Sequence, residues 1–253
     1  MPGILILAGM GVQIPPGGLV LTEADDGGVV GEVKEVRVRL DLWPTWLEIG
    51  CRATDQALSA SAQLTSELDD GRKSALLTAE LEGGLAAITA FAFCVDGFYD
   101  TVRNELRRHP DELAWKKNRA ARATQVSETL RHHLKLGPKF SGLLKQYVKE
   151  LFGFRSRAVH PNGAWVVPNY RPEIDSGVHP HLITFSGPHA KQCRGLTLVL
   201  LDRLLDRAAE LSSADSDAGW LQRGRSEIDR LMPLYRAAGD DQLAFSTQLA
   251  TDS

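Results

Sequence analysis

Arg155 and His160 are the residues of this chain whose types and spacing best suit catalysis. They stand in the stretch Leu151-Phe152-Gly153-Phe154-Arg155-Ser156-Arg157-Ala158-Val159-His160-Pro161. An apolar, helix-compatible run ends there, and Pro161-Asn162-Gly163 begins a turn. A guanidinium is always charged, and its planar fork matches two phosphate oxygens. An imidazole has an unperturbed pKa of about 6.5, so it can take or give a proton beside that phosphate at neutral pH. Ser156, directly after the arginine, adds a short hydrogen-bonding side chain. Asp96 and Asp100 lie one helical turn apart upstream. Either could accept a hydrogen bond from Arg155 or His160 and orient it. The alternative is a local pair of Asp100 with Arg103 or Asn104 on one helix surface.

Charge is unevenly spread around this pair. The formal net charge is -3, yet Arg103 to Arg157 holds 14 Lys and Arg against 5 Asp and Glu. That segment is therefore +9 and the remainder -12, which suggests an anionic partner for the middle of the chain, or else a solvated helical face. Lys116, Lys117, Arg119 and Arg122 cluster around Trp115, which could stack on a base or serve as a packing anchor.

Other chemistries find less support. His132-His133 and His179-Pro180-His181 have no third ligand at metal-binding spacing, so no metal is expected. Gly9-Met10-Gly11 and Gly17-Gly18 lack the Lys-Ser/Thr of a P-loop and the spacing of a dinucleotide fold, so no cofactor is expected. Cys51, Cys94 and Cys193 are odd in number and far apart, which fits reduced thiols and a cytoplasmic setting. The apolar start, Met1 to Val12, lacks a basic leader, and the longest apolar run, Gly83 to Val95, is too short to cross a bilayer.

The elements that must position Arg155 and His160 read as mainly helical. Residues 1–42 predict a small β extension, with strands at Ile4-Leu7, Leu19-Leu21 and Val33-Leu40. From Trp43 the period becomes helical. One helix is expected up to Leu68, and a long one over Ser74–Arg108, with Gly83-Gly84 as a weak point or kink. Asp111–Arg122 reads as a short helix or loop. Helices follow from Thr124 to about Leu136 and from about Lys139 through Arg155. Two strands, 164–167 and 181–185, form an insertion after the motif. A strong helix from about His189 to Leu211 completes an antiparallel bundle spanning 43–211. Residues 212–253 read as an acidic link, a helix from about Ala218 to Ala238 and a tail.

Arg155-Ser156-Arg157-Ala158-Val159-His160 resembles the Arg-x4–6-His motif of HEPN domains, helical bundles that carry it near the end of a core helix. The resemblance covers about 43–211 by helix order. It implies a homodimer in which two motifs form one composite, metal-independent ribonuclease site. His160 would then be general base or acid, and Arg155 would hold the scissile phosphate. Lys116, Lys117, Arg119, Arg122 and Arg157 would track the RNA backbone. It further implies a toxin or antiviral-defence setting, with an antitoxin or other regulatory protein as partner. Many catalytic members have Asn, Asp or His where this chain has Ser156. Other members are non-catalytic modules that dimerise or bind a nucleotide or protein, and that reading stands beside the first.

Overall fold

A computed structural model describes residues 10–23, 27–106, 108–160, 163–211 and 219–237. The chain divides into two compact units between Leu42 and Trp43.

The first unit is a pair of nested hairpins. β2 (Leu19–Glu23) pairs with β3 (Val29–Val33), and β1 (Met10–Gln13) pairs with β4 (Arg37–Leu40), both antiparallel. The expected single strand over 33–40 is thus broken at residues 34–36, where the chain steps from the inner hairpin to the outer. The step is held by the Gly18 carbonyl, which accepts from the Lys34 and Glu35 N–H groups at 2.7 and 3.2 Å. A Cβ on Gly18 would sit 2.7 Å from the Glu35 carbonyl oxygen, so only glycine fits. The strand expected at Ile4–Leu7 lies outside the described residues.

The second unit is mainly helical. Its helices are α1 (Trp43–Ser61), α2 (Asp70–Glu105), α3 (Glu112–Lys117), α4 (Arg122–His133), α5 (Pro138–Val159), α6 (Pro180–Thr184), α7 (Gly187–Leu211) and α8 (Gly219–Ala237). α1 stops seven residues short of the expected Leu68, and α2 starts four before Ser74. The reason is Asp69, whose carboxylate accepts from the Arg72 N–H at 2.9 Å and caps α2. At the other end of the bundle, Pro138 opens α5 in the position where its missing N–H costs nothing. One apolar core takes Leu47 from α1, Phe91 and Phe98 from α2, Leu130 from α4, Leu151 from α5, Leu201 from α7 and Ile228 from α8. α8 therefore belongs to the same compact unit as the other helices. Near the middle of α5, the Tyr147 hydroxyl donates to the Cys193 carbonyl (3.0 Å) and lies 2.7 Å from Thr197 Oγ1, fastening α5 to α7.

α2 is long and apolar enough to cross a bilayer by length and composition alone, and 56% of its most apolar window is buried inside the protein. Here it is the core helix. Cys51, Cys94 and Cys193 are buried thiols outside any disulfide.

The expected insertion strands are corrected. Residues 164–168 carry no ladder, and Trp165 there is fully exposed. The two strands are β5 (Asn169–Arg171) and β6 (Ser176–Val178), paired through a 3-10 turn at Pro172–Ile174. Residues 181–185, read as a strand from their apolar run, belong to α6 and its C-cap. Pro180 fixes the first helical φ, and His179 Nδ1 accepts from the His181 N–H at 3.1 Å.

Gly83 and Gly84 do not kink α2, which runs unbroken. A Cβ on Gly83 would lie 2.8 Å from the Ala57 nitrogen, and one on Gly84 only 1.8 Å from the Phe185 carbonyl oxygen. These glycines let α1 and the insertion touch the α2 backbone. One turn earlier, Glu80 is buried at 1% exposure. It accepts two hydrogen bonds from the equally buried Arg171 guanidinium (2.6 and 3.0 Å) and one from the Gly187 N–H at the start of α7 (2.9 Å).

Glu80→Gln leaves a buried guanidinium without its charge partner and is expected to cost about 3–5 kcal/mol in urea unfolding. Glu80→Met with Arg171→Met together should cost less than either alone. Additive losses would mean that the two charges do not interact.

Candidate functional site

The last turns of α5 place the motif. The sequence Leu144, Tyr147, Val148, Leu151, Phe152 buries one face of α5, and Arg155 follows on its flank, half-buried. Its guanidinium carbon lies 5.0 Å from the Phe152 ring centroid and 5.5 Å from that of Phe93 on α2. Its Nη1 is 3.8 Å from Asp96 Oδ2. So α2 supplies a carboxylate and an aromatic wall that hold the arginine at the helix end.

Asp96 serves a second arginine. Arg122 Nε, in the first turn of α4, donates to Asp96 Oδ1 at 2.7 Å, and its Nη2 donates to Asp100 Oδ1 at 3.3 Å. The same guanidinium lies over the Tyr99 ring, 4.4 Å from its centroid. Asp96, Tyr99 and Asp100 fall on one face of α2 by their three- and four-residue spacing, so a single helix surface receives both arginines. Two guanidiniums and two carboxylates alternate there and balance in charge.

His160 is the C-cap of α5 and is exposed. Its N–H donates to the Ser156 carbonyl at 2.9 Å, closing the last helical turn. Among the described residues its ring takes part in no hydrogen bond or ion pair, so both nitrogens face solvent chemistry. Ser156 and Arg157 are exposed, and Arg157 lies over the Phe154 ring at 4.6 Å. No hydrogen bond or ion pair joins Arg155 to His160 within the chain.

The sequence-derived residues thus separate. Arg155 and Asp96 come together, with Asp100 one link further on through Arg122. The local pairing of Asp100 with Arg103 does not form. Instead Arg103 donates twice to Glu112, at 3.1 and 2.5 Å. Arg122, expected on an RNA backbone, is occupied by Asp96 and Asp100. Lys116 reaches Glu112 at 3.0 Å, while Lys117 and Arg119 are exposed and have no side-chain partner among the described residues. Trp115 stacks on His109, with centroids 4.4 Å apart, and so acts as a packing anchor. Phe93 and Tyr99 were hidden as site residues because their apolar spacing reads as core.

α3, which ends at Lys117 two residues before Arg119, is tied down by two titrating groups. Hydrogen bonds from Arg103 hold the Glu112 carboxyl down at about 2, against burial, with Lys116 helping. His109 is buried, its Nδ1 accepts from the Asp111 N–H at 3.0 Å, and its Nε2 has no partner. Burial, followed by the neighbouring His132, pushes its pKa down. Among the described residues no group of three His, Cys, Asp or Glu could hold a metal.

Compared with family models, curated proteins and solved structures, the chain matches none. Fold and site together define a mainly helical protein whose conspicuous polar feature is an Arg/Asp cluster beside an open histidine. What that feature does is argued below from its chemistry.

The pH dependence follows from the two groups on the α2–α3 joint. The unfolded chain takes a proton on His109 near pH 6.5 while the folded chain resists, so stability falls as pH drops below about 6.5. The Glu112 contribution is present above about 4.5 and is lost between there and about 2, a loss of about 3 kcal/mol at most. Melting temperature measured against pH should therefore decline less between 7 and 5 in His109→Phe, and less between 5 and 3 in Glu112→Gln. Parallel profiles for variants and wild type would remove these groups as the cause.

Proposed function

We propose that this chain is a metal-independent endoribonuclease of HEPN type that acts as a homodimer in the cytoplasm. The observation that carries the reading is the end of α5. There a half-buried arginine is held by Asp96 between two aromatic rings, five residues before a histidine that caps the helix in the open. The guanidinium is held in place ahead of any substrate, and the imidazole is free to exchange protons, which is the division of labour phosphodiester cleavage needs.

In this reading the 2′-hydroxyl of RNA attacks the adjacent phosphorus. One His160 takes its proton, and the partner chain's His160 protonates the departing 5′-oxygen. Arg155 stabilises the charge that grows on the phosphate oxygens. The products are a 2′,3′-cyclic phosphate and a 5′-hydroxyl. Lys117, Arg119 and Arg157, all exposed, supply backbone contacts; Arg122 does not, because its carboxylate partners neutralise it. The reading needs no cofactor. An antitoxin or other regulator, and a defence role, follow from the resemblance alone.

A second reading rests on Arg155, Asp96, Arg122 and Asp100 satisfying one another. The motif is then a clamp between α2, α4 and α5 in a non-catalytic dimerisation or binding module.

The test is RNA cleavage by purified protein in EDTA. The nuclease reading expects 2′,3′-cyclic ends, with His160→Ala and Arg155→Ala each slower by about 100-fold or more while remaining folded. His160→Ala cleaving at the wild-type rate would end the nuclease reading. No cleavage by wild type, with Arg155→Ala lowering the melting temperature, would establish the clamp.

A further inference from the structure

α5 has a second chemically distinctive end. A cavity of about 1030 Å³ opens where the α4–α5 turn and the first turn of α5 meet the C-terminal half of α7 and the face of α8 that carries Arg225. Pro138 and Arg155 are seventeen residues apart on α5, so this cavity lies about 25 Å along the helix from the motif.

Its lining is two-natured. Leu136 and Phe140 contribute apolar surface, and both also pack against the main core, so that part of the wall is fixed. The polar part carries five cations against two carboxylates. Both carboxylates are already engaged. Arg207 donates to Glu210 at 2.5 Å and to the Leu134 carbonyl at 3.1 Å. Arg225 donates to Asp206, and to Asp202 at 2.5 Å. Lys135 and Arg203 are left with no hydrogen-bonding or ion-pair partner among the described residues. Asp206 attracts Arg203 at longer range, and the described lining still carries more cations than carboxylates beside an apolar wall.

Lys135 adds an independent observation. Its φ is +47°, in the left-handed region. It follows the α4 C-cap Leu134, and the next N–H, that of Leu136, closes on the Arg131 carbonyl at 3.1 Å. This is the helix-ending position where glycine is favoured and a side chain is strained. A lysine kept there puts backbone strain at the rim of a cavity lined by more cations than carboxylates, a combination that points to a role for the side chain.

We infer that this cavity binds a small phosphate monoester with an apolar or aromatic body. The phosphate lies against Lys135 and Arg203, and the body lies on Leu136 and Phe140. Two cations that no described carboxylate contacts directly suit a dianion, and a phosphate monoester is one at neutral pH. The apolar wall calls for more than inorganic phosphate, and the volume admits a whole organic molecule. A free nucleotide and a simple aryl phosphate share this chemistry. The site is separate from Arg155 and His160 and does not depend on the nuclease reading.

The full chain is titrated by calorimetry with AMP, phenyl phosphate, inorganic phosphate and phenol. At least one of the first two should bind saturably, and at least about tenfold tighter than phosphate or phenol alone. AMP alone would identify a nucleotide as the source; both together would identify any ring-bearing phosphate. Lys135→Gly relieves the left-handed backbone, so it should hold or raise the melting temperature while weakening binding about tenfold. Arg203→Gln should weaken binding similarly, and Arg155→Ala and His160→Ala should leave it unchanged. The inference is overturned by no saturable binding up to about 10 mM of either monoester, since that is weaker than about 3 kcal/mol. It is also overturned by wild-type affinity in the Lys135→Gly/Arg203→Gln double variant, by equal affinity for inorganic phosphate, or by loss of binding in the Arg155 or His160 variants.

Discussion

The buried Glu80 carboxylate is the constraint on which the architecture turns. It is almost fully removed from water, so each of its oxygens must be met inside the protein. Arg171 meets both, and the first N–H of α7 meets one of them again. A single side chain on α2 thereby fixes the insertion, through β5, and the direction in which α7 departs. The next turn of the same helix is Gly83-Gly84, where α1 and the end of α6 press on bare backbone. The two features act together. The ion pair needs the insertion close, and the close approach needs residues with no Cβ.

This arrangement governs what surrounds the motif. After His160 the chain must reach Arg171 at a point on α2 that Glu80 determines. The histidine sits between a rigid helix and an anchored strand, and the described residues 163–168 before that strand make no ladder of their own. Arg155 is positioned differently, by lateral contact with α2 through Asp96, Phe93 and Phe152. One residue of the pair is held by side-chain packing and the other by helix termination. Asp96 is shared by Arg155 at 3.8 Å and Arg122 at 2.7 Å, so its stronger bond goes to the structural arginine. The looser partner keeps most of its donors available.

Much of the helical frame was legible in the sequence because amphipathic spacing records which face is buried. Trp43 as a helix start, α5 running through Arg155, and α7 ending at Leu211 all follow from that pattern and from Pro and Gly signals. The failures have physical causes. Residues 181–185 are a short apolar run that fits either period, and the deciding signal was the His179-Pro180 cap. Gly83-Gly84 reads as weakness when nothing shows what packs against it. Glu80 and Arg171 are 91 residues apart, and charge alone does not reveal a buried pair. The candidate motif was visible by type and spacing. That Arg122 belongs to its scaffold was not, because a basic residue in a basic segment looks solvated. Lys135 lies in that same segment, whereas the spacing of Arg203 puts its stem on the inward side of α7; only the folded chain shows which cations no carboxylate contacts directly.

The Tyr147 bond to α7 has a mechanical consequence. Tyr147 is the tenth of the 22 residues of α5, with the cationic cavity toward one end and the motif at the other. Both oxygens that meet this hydroxyl belong to α7, so the bond resists sliding of α5 along its neighbour, while Phe140 and Leu144 on one side of it and Leu151 and Phe152 on the other seat the helix on the core. The spacing between cavity and motif is therefore set by one helix held at several points along its length.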